Sequence, residues 1–561
     1  MTTPERAEHF LDLEAYQRYM EFTSSERDPW RADYLSQQLV VLGAERPNVS
    51  SQEATNLRNC YENPYRSYHG EQHGNFVGQP DVPAALAEQL SPAAREWAGA
   101  VLSVSGLWHD AVYKQVDTHP DSETGEGAWH PSVTQLIGDY AQYKRTVEND
   151  RPVFRTYLTE AGKQDHLTAT VAHIFGFDQT SLQQGIVHNQ GGNEFDSALA
   201  AAKFLEAKGT PAHMIVAVIA SIAATIPFKP AQGDLMGSTP DGHMGELAQR
   251  VESVLRTSEH GAWQETNDIM LLATHLANRD ISPFIVPDGF AEFINGGRKV
   301  KKEEIPELRS EVTNMEQLSR AAGIERSAPL LYQWISSGEG PIPAANIPHF
   351  YIMRNEHGVP QLAESYPPQT VYRQATLHAE QNTSLATLFF QAHEAGIVLA
   401  ASLATAIGEP AAEVPGFVQA EVWSDQAEPI PQADAEFSER EIAIYLTLLH
   451  GIGQEEVDAA TSLRSPIGGT LLGALGASGI RKLSEHIQQL RREQQTGGNP
   501  NAFSNPQAAE AMIGAIVSQV GMHNFALIVN ELKHVAETVA NKPERAAALE
   551  RLLAQYRSTN P

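Results

Sequence analysis

The stretch AVLSVSGLWHD, residues 100–110, decides how this chain is read. Nine uncharged residues, Ala100–Trp108, run straight into the adjacent pair His109-Asp110. Apolar residues at three-to-four spacing extend the pattern over Ala94–Tyr113, which predicts a buried helix. An ionised Asp at the end of such a helix costs several kcal/mol unless it is paired or bound to a metal. The alternative is a helix end that emerges into solvent. Similar spacing recurs in Phe195–Lys208 and Val251–Arg256, and alternating strand-like runs are few, so the expected fold class is mainly α.

Working outward, YRSYHGEQH (Tyr65–His73) places His69 and His73 four residues apart, on one face if the segment is helical. His73 precedes His109 by 36 residues. Together these segments resemble the HD superfamily of metal-dependent phosphohydrolases, whose members present a first His, an adjacent His-Asp pair and a distant Asp to metal. YRSYHGEQH is similar to the Tyr-His-x-x-x-His opening of a bacterial HD subgroup, and HDAVYKQVD (109–117) to its HD-x-V-Y segment. Asn193-Glu194-Phe195 with Ser197-Ala198 resembles a helix start of that subgroup, and Ala224-Thr225 resembles a further helix end lining the same site. The resemblance spans about residues 56–290.

It implies an HD-type helical domain over residues 1–296, with an insertion at about 118–192 that is either a substrate cover or a surface elaboration. It also implies one divalent ion (Mn, Mg, Zn, Fe, Co or Ni) held by His73, His109, Asp110 and a late aspartate. Asp280 is preferred for its Asn-Arg-Asp surroundings, and Asp268 is the alternative. His275 is the best extra ligand. The further histidine that follows the His-Asp pair in two-metal cyclic-nucleotide phosphodiesterases is missing from this pattern, so a second ion is not implied. Such an ion acidifies a water and polarises a phosphoryl oxygen. His69 would then protonate the leaving oxygen, Arg66 would hold a phosphate oxygen, and Glu194 would orient a ligand His or a water. The implied function is hydrolysis of a small phosphorylated substrate, a nucleotide among the candidates. Two alternatives stay open: an HD-fold module that binds metal and ligand without turnover, and an HD-type di-iron oxygenase.

Composition narrows the partners. The 561 residues carry 69 acidic against 40 basic side chains, a formal charge of −29, which disfavours nucleic acid polymers and anionic membrane surfaces. One cysteine, Cys60, excludes an intramolecular disulfide and any multi-cysteine zinc site. The start, MTTPERAEHFLDLEAY, lacks the apolar segment of a secretory signal. The run Met214–Phe228 is shorter than the roughly 20 residues a spanning helix needs, so it reads as a core helix. These features lead to the expectation of a cytoplasmic protein with no membrane association.

Boundaries are expected near Gly296–Glu304 and between Gly408 and Phe437, where Gly, Pro, Ala and charge concentrate. They separate a middle region, 297–425, from a helical C-terminal region, 426–561, in which Pro543 suits the first turn of a final helix. Neither region shows a constellation that converts to chemistry.

Overall fold

In the computed structural model of the chain, the described residues are 29–61, 71–114, 129–148, 151–187, 191–226, 240–256, 262–281, 350–355, 360–366, 369–409, 448, 465–495, 506–538 and 542–559. They are mainly helical, with one three-stranded and one two-stranded sheet. Both expected domain boundaries, at 296 and in 408–437, fall largely outside the described residues. The chain forms two compact units, Met1–Pro287 with Ile342–Glu380 and Asp288–Pro341 with Gln381–Pro561.

In the first unit, helices α1 (Ala32–Val41), α2 (Ser51–Asn59), α3 (Glu71–Val77), α4 (Ala84–Gln89) and α5 (Pro92–Trp108) precede α6 (Pro131–Ile137) and the hairpin β1 (Ala141–Glu148)–β2 (Arg151–Leu158). Short helices α7 (Glu160–Gln164), α8 (His166–Ile174) and α9 (Gln179–Gln184) lead to β3 (Ile186–Val187), which completes an antiparallel sheet in the order β1-β2-β3. Four longer helices follow: α10 (Gly192–Ala207), α11 (Ala212–Ala224), α12 (Pro240–Leu255) and α13 (Ala262–Asp280). The hairpin β4 (Phe350–Asn355)–β5 (Pro360–Tyr366) packs its first strand on α12 and α13.

The centre of this unit is α11. Its sequence, AHMIVAVIASIAA, is apolar all round, and every residue from Met214 to Ala224 is buried, as a helix without a polar face must be. It packs against α5, α10 and α13, the helices that bear most of the predicted site residues.

The insertion at about 118–192 is expected to be a substrate cover or a surface elaboration, and its described part packs into the core of the first unit. The two-residue alternation of β1 and β2 turns Ala141, Tyr143, Phe154, Thr156 and Leu158 inward. With Trp129, Val133 and Ile137, the apolar members of this set join the same core as α5 and α11. Apolar burial of this kind is worth roughly 1.5–3 kcal/mol per large side chain, so the segment is part of the unit's stability.

The second unit has its own core, built from α14 (Gln369–Ala406, from Gln381 onward), α15 (Pro466–Gln495), α16 (Pro506–Thr538) and α17 (Pro543–Thr559). The expected final helix is present, with Pro543 at its start. Gly476 in α15 and Gly521 in α16 adopt φ of 64° and 79°, and each breaks its helix into two segments. That conformation is open to glycine and strained for other residues. Thr387–Ala406 and Ala509–His534 are long and apolar enough to cross a membrane by length and composition. Their apolar windows are 88% and 50% buried, and residues such as Phe389, Leu399, Ile513 and Phe525 form this core.

Inside that core lies His393, 6% exposed, its ring near Phe389 and its Nε2 without a hydrogen-bond partner among the described residues. Burial pushes its pKa down to about 4. The unfolded chain takes up a proton at this residue near pH 6.5, whereas the folded chain does not until about pH 4. Stability of the second unit is therefore intact above pH 6.5 and lost progressively as pH falls through that window, by about 3 kcal/mol for this residue. Thermal unfolding of the full chain between pH 7 and pH 4.5 should show this loss, and His393→Leu should flatten it. An unchanged pH slope in that variant would contradict the assignment.

Candidate metal centre

Helix α5 delivers His109 and Asp110 because both of its ends are fixed. Ser91 caps its start, accepting from the Ala94 N–H at 3.2 Å, and Pro92 occupies the first turn, where a missing N–H is harmless. Ser91 in turn donates its own N–H and hydroxyl to the two carboxylate oxygens of Asp268, at 2.9 and 2.6 Å. Asp268 is thus an anchor for the helix that carries the site. Twelve residues later on the same helix α13, Asp280 meets the other end of α5, so the two helices run parallel.

At that end the ligand atoms of His73, His109, Asp110 and Asp280 all lie within 4.8 Å of one another. His73 Nε2 stands 3.1 Å from His109 Nε2, 2.9 Å from Asp280 Oδ1 and 3.5 Å from Asp110 Oδ2. His109 Nε2 stands 2.8 Å from Asp110 Oδ2 and 3.5 Å from Asp280 Oδ1. The orientation of His109 is set from behind. Its Nδ1 lies 2.7 Å from the Gly106 carbonyl, which can only accept, so Nδ1 carries a proton and Nε2 faces the cluster, where it offers a lone pair once the ring is neutral.

Close approach of α3 to α5 brings His73 in. A Cβ on Gly106 would overlap the Val77 carbonyl and the Gly78 nitrogen, and one on Gly78 would come within 2.8 Å of Leu107. Tyr61 adds a hydroxyl donation to the Leu107 carbonyl at 2.8 Å.

The charges in the cluster are coupled. Burial pulls the His73 pKa below the ordinary imidazole range, against Asp280, which favours its protonated form. Burial also acts on His109, but Asp110 and then Asp280 outweigh it and hold His109 well above that range. Asp280 stays below the usual carboxylate range despite its burial, because it accepts from His109 and His73. Two carboxylates against the single imidazolium these directions favour, on His109, leave this buried group short of positive charge, a deficit that a divalent cation could offset. Two nitrogens and two carboxylates suit a borderline or hard divalent ion, and no sulfur joins them: Cys60 Sγ lies against His130 Nδ1 at 3.7 Å instead.

A second buried network sits four residues beyond Asp110. Ser197 Oγ accepts the Val112 N–H at 2.9 Å and Asn193 Oδ1 accepts the Lys114 N–H at 3.2 Å, so the start of α10 holds the strand of chain that follows His109-Asp110. Lys114 Nζ, fully buried, donates to Thr156 Oγ1 at 2.6 Å, to the Gly192 carbonyl at 2.8 Å and to Asp196 Oδ2 at 2.9 Å. Thr156 and Trp129 also donate to Asp196 Oδ2, each at 2.9 Å. Burial lowers the Lys114 pKa and raises that of Asp196, each opposed by its partner's charge. Through this ion pair the sheet of residues 141–187 is tied to the segment that presents Asp110.

Of the residues expected at the site, His73, His109, Asp110 and Asp280 come together, and Asp280 rather than Asp268 completes the group. His275 is not in the group; its Nε2 accepts from Arg279 Nη2 at 3.0 Å. Glu194 lies half-buried in the first turn of α10, and its charge acts on Lys114. Arg66 and His69 lie outside the described residues. Lys114 and Asp196 have no local signature in the sequence, because a buried ion pair joins distant residues, and Arg279, which the sequence offers as an ion-pair partner for the aspartates, donates to backbone carbonyls instead. In comparisons with protein families, curated proteins and solved structures, the chain matches none.

Two outcomes follow from this geometry. Asp280→Asn should abolish divalent metal uptake with little change in the melting temperature of the metal-free protein, whereas Asp268→Asn should retain uptake and lose about 1–2 kcal/mol of stability through its Ser91 contacts. Elemental analysis beside thermal melts distinguishes them, and the reverse ranking would move the metal centre. For the ion pair, Asp196→Asn alone should cost about 3–5 kcal/mol by leaving the Lys114 charge uncompensated, while Lys114→Met with Asp196→Leu should recover most of it. Equal losses in the single and double variants in urea titrations would contradict this account.

Proposed function

We propose that the first unit is a metal-dependent phosphohydrolase of the HD kind, acting on a small phosphorylated molecule. The observation that carries this reading is the convergence of a first His, an adjacent His-Asp pair and a distant Asp on one buried point, from segments up to 207 residues apart. The order of these ligands along the chain is that of the HD resemblance.

The proposed ion is divalent, and when bound it supplies a Lewis acid for the phosphoryl oxygen and a water of lowered pKa. The chain's own residues do the rest. The imidazoles are 1–2% exposed, but Asp110 and Asp280 are 9% and 13% exposed, so substrate approaches from the carboxylate edge. An anionic substrate reaching a chain of charge −29 requires local positive charge, which Arg66 and the ion supply. Arg66 suits a phosphate oxygen through its planar fork, and His69 donates the proton that the leaving oxygen needs. Glu194 steadies the site from the start of α10 through its charge on Lys114.

The test uses the full chain, stripped with a chelator and reloaded singly with Mn, Mg, Fe(II), Co, Ni or Zn, against a panel of nucleotides, sugar phosphates and aryl phosphoesters. The expected outcome is release of phosphate or of a monoester with at least one metal, falling by about 10²-fold or more in His109→Ala. No turnover with any metal, together with a ligand-dependent rise in melting temperature, would replace the enzyme reading with a binding module.

A further inference from the structure

We propose that Arg279 is a positioning residue, whose guanidinium fork fixes the end of α3 on α13 and so holds His73 against Asp280; this rests on the metal-centre reading. Helix α3 has only seven residues, too few to be stable by itself, so its place must come from tertiary contacts. His73 sits one turn before its end at Val77.

Arg279 meets that end. It is 1% exposed, and its Nη1 donates to the Val77 carbonyl at 3.3 Å and the Gln79 carbonyl at 2.7 Å, while Nη2 donates to the Asp81 carbonyl at 2.8 Å. Those are carbonyls at and just beyond a helix C-terminus, where acceptors lack intrahelical partners and positive charge is favourable. Nη2 also lies 3.0 Å from His275 Nε2, one turn earlier on α13, which fixes the plane of the fork. The ligand Asp280 follows Arg279 directly in the chain, so one short piece of α13 contributes both a ligand and the clamp for the ligand opposite. Gly78 lies inside the clamped segment and packs on Leu107, so the same clamp seats α3 on α5.

Groups that orient metal ligands from outside the coordination sphere typically contribute about 10–100-fold to metal affinity. Lysine replaces the fork by a single ammonium and cannot span three carbonyls. Cobalt(II) is the probe, added alone to the chelated full chain and followed by its visible absorption, with circular dichroism and melting of the metal-free protein in parallel. The expected result is about 10–100-fold weaker cobalt binding and a shifted visible band in Arg279→Met, with partial rescue in Arg279→Lys, measured well below a melting temperature that the unpaired carbonyls lower and at a helicity near wild type. If the methionine variant fails to fold, the lysine variant, which keeps the charge and one carbonyl bond, carries the comparison. Wild-type affinity and band shape in the folded variants would overturn the clamp and leave the metal centre standing. Loss of folding in both would make Arg279 a folding residue and overturn it too. No cobalt uptake by the wild type would overturn the metal centre and the clamp with it.

Discussion

The carboxylates of Asp110 and Asp280, facing two buried imidazoles at the end of α5, are the constraint on which the rest of the first unit depends. Ionised groups in a core are destabilising unless each is compensated by charge and hydrogen bonds. His73 and His109 meet part of that demand, and the four groups together could hold a cation that meets the rest. A core that must present four such groups within 4.8 Å cannot be held by apolar packing alone, which is non-directional.

Directional contacts appear where this requirement predicts them. Asp268 fixes the start of α5, the Gly106 carbonyl turns the His109 ring, and Asn193 and Ser197 hold the backbone after Asp110. The Lys114–Asp196 pair then joins this segment to the sheet, so residues 129–187 support the site from behind. Much of this falls on helix α13, which supplies an anchor at Asp268, a fork at Arg279 and the carboxylate of Asp280 in the cluster. The apolar helix α11 gives these polar parts a common surface to pack on.

The legible part of this arrangement was local. An uncharged run ending in His109-Asp110 announced a buried helix with a charge problem, and the order of His73 before it pointed to a shared site. The choice between Asp280 and Asp268 was harder, because both lie on one helix and their roles depend on the direction in which α13 runs along α5. That direction is a tertiary fact with no trace in spacing. The part the sheet plays in the core was not legible, because its alternating residues Tyr143, Phe154 and Thr156 show burial only once their packing partners are known. Lys114 belonged to a quoted motif, yet nothing in HDAVYK reveals an acidic partner 82 residues away.

X-ray absorption at the metal edge of the full chain, loaded with one divalent ion and freed of excess, tests the central claim most directly. The account predicts one ion per chain with two imidazole nitrogens, at about 2.0–2.1 Å if zinc is used, and carboxylate oxygens completing the shell. His73→Ala should lower the imidazole count by one. A shell of oxygens alone, or an imidazole count unaffected by loss of His73, would contradict it.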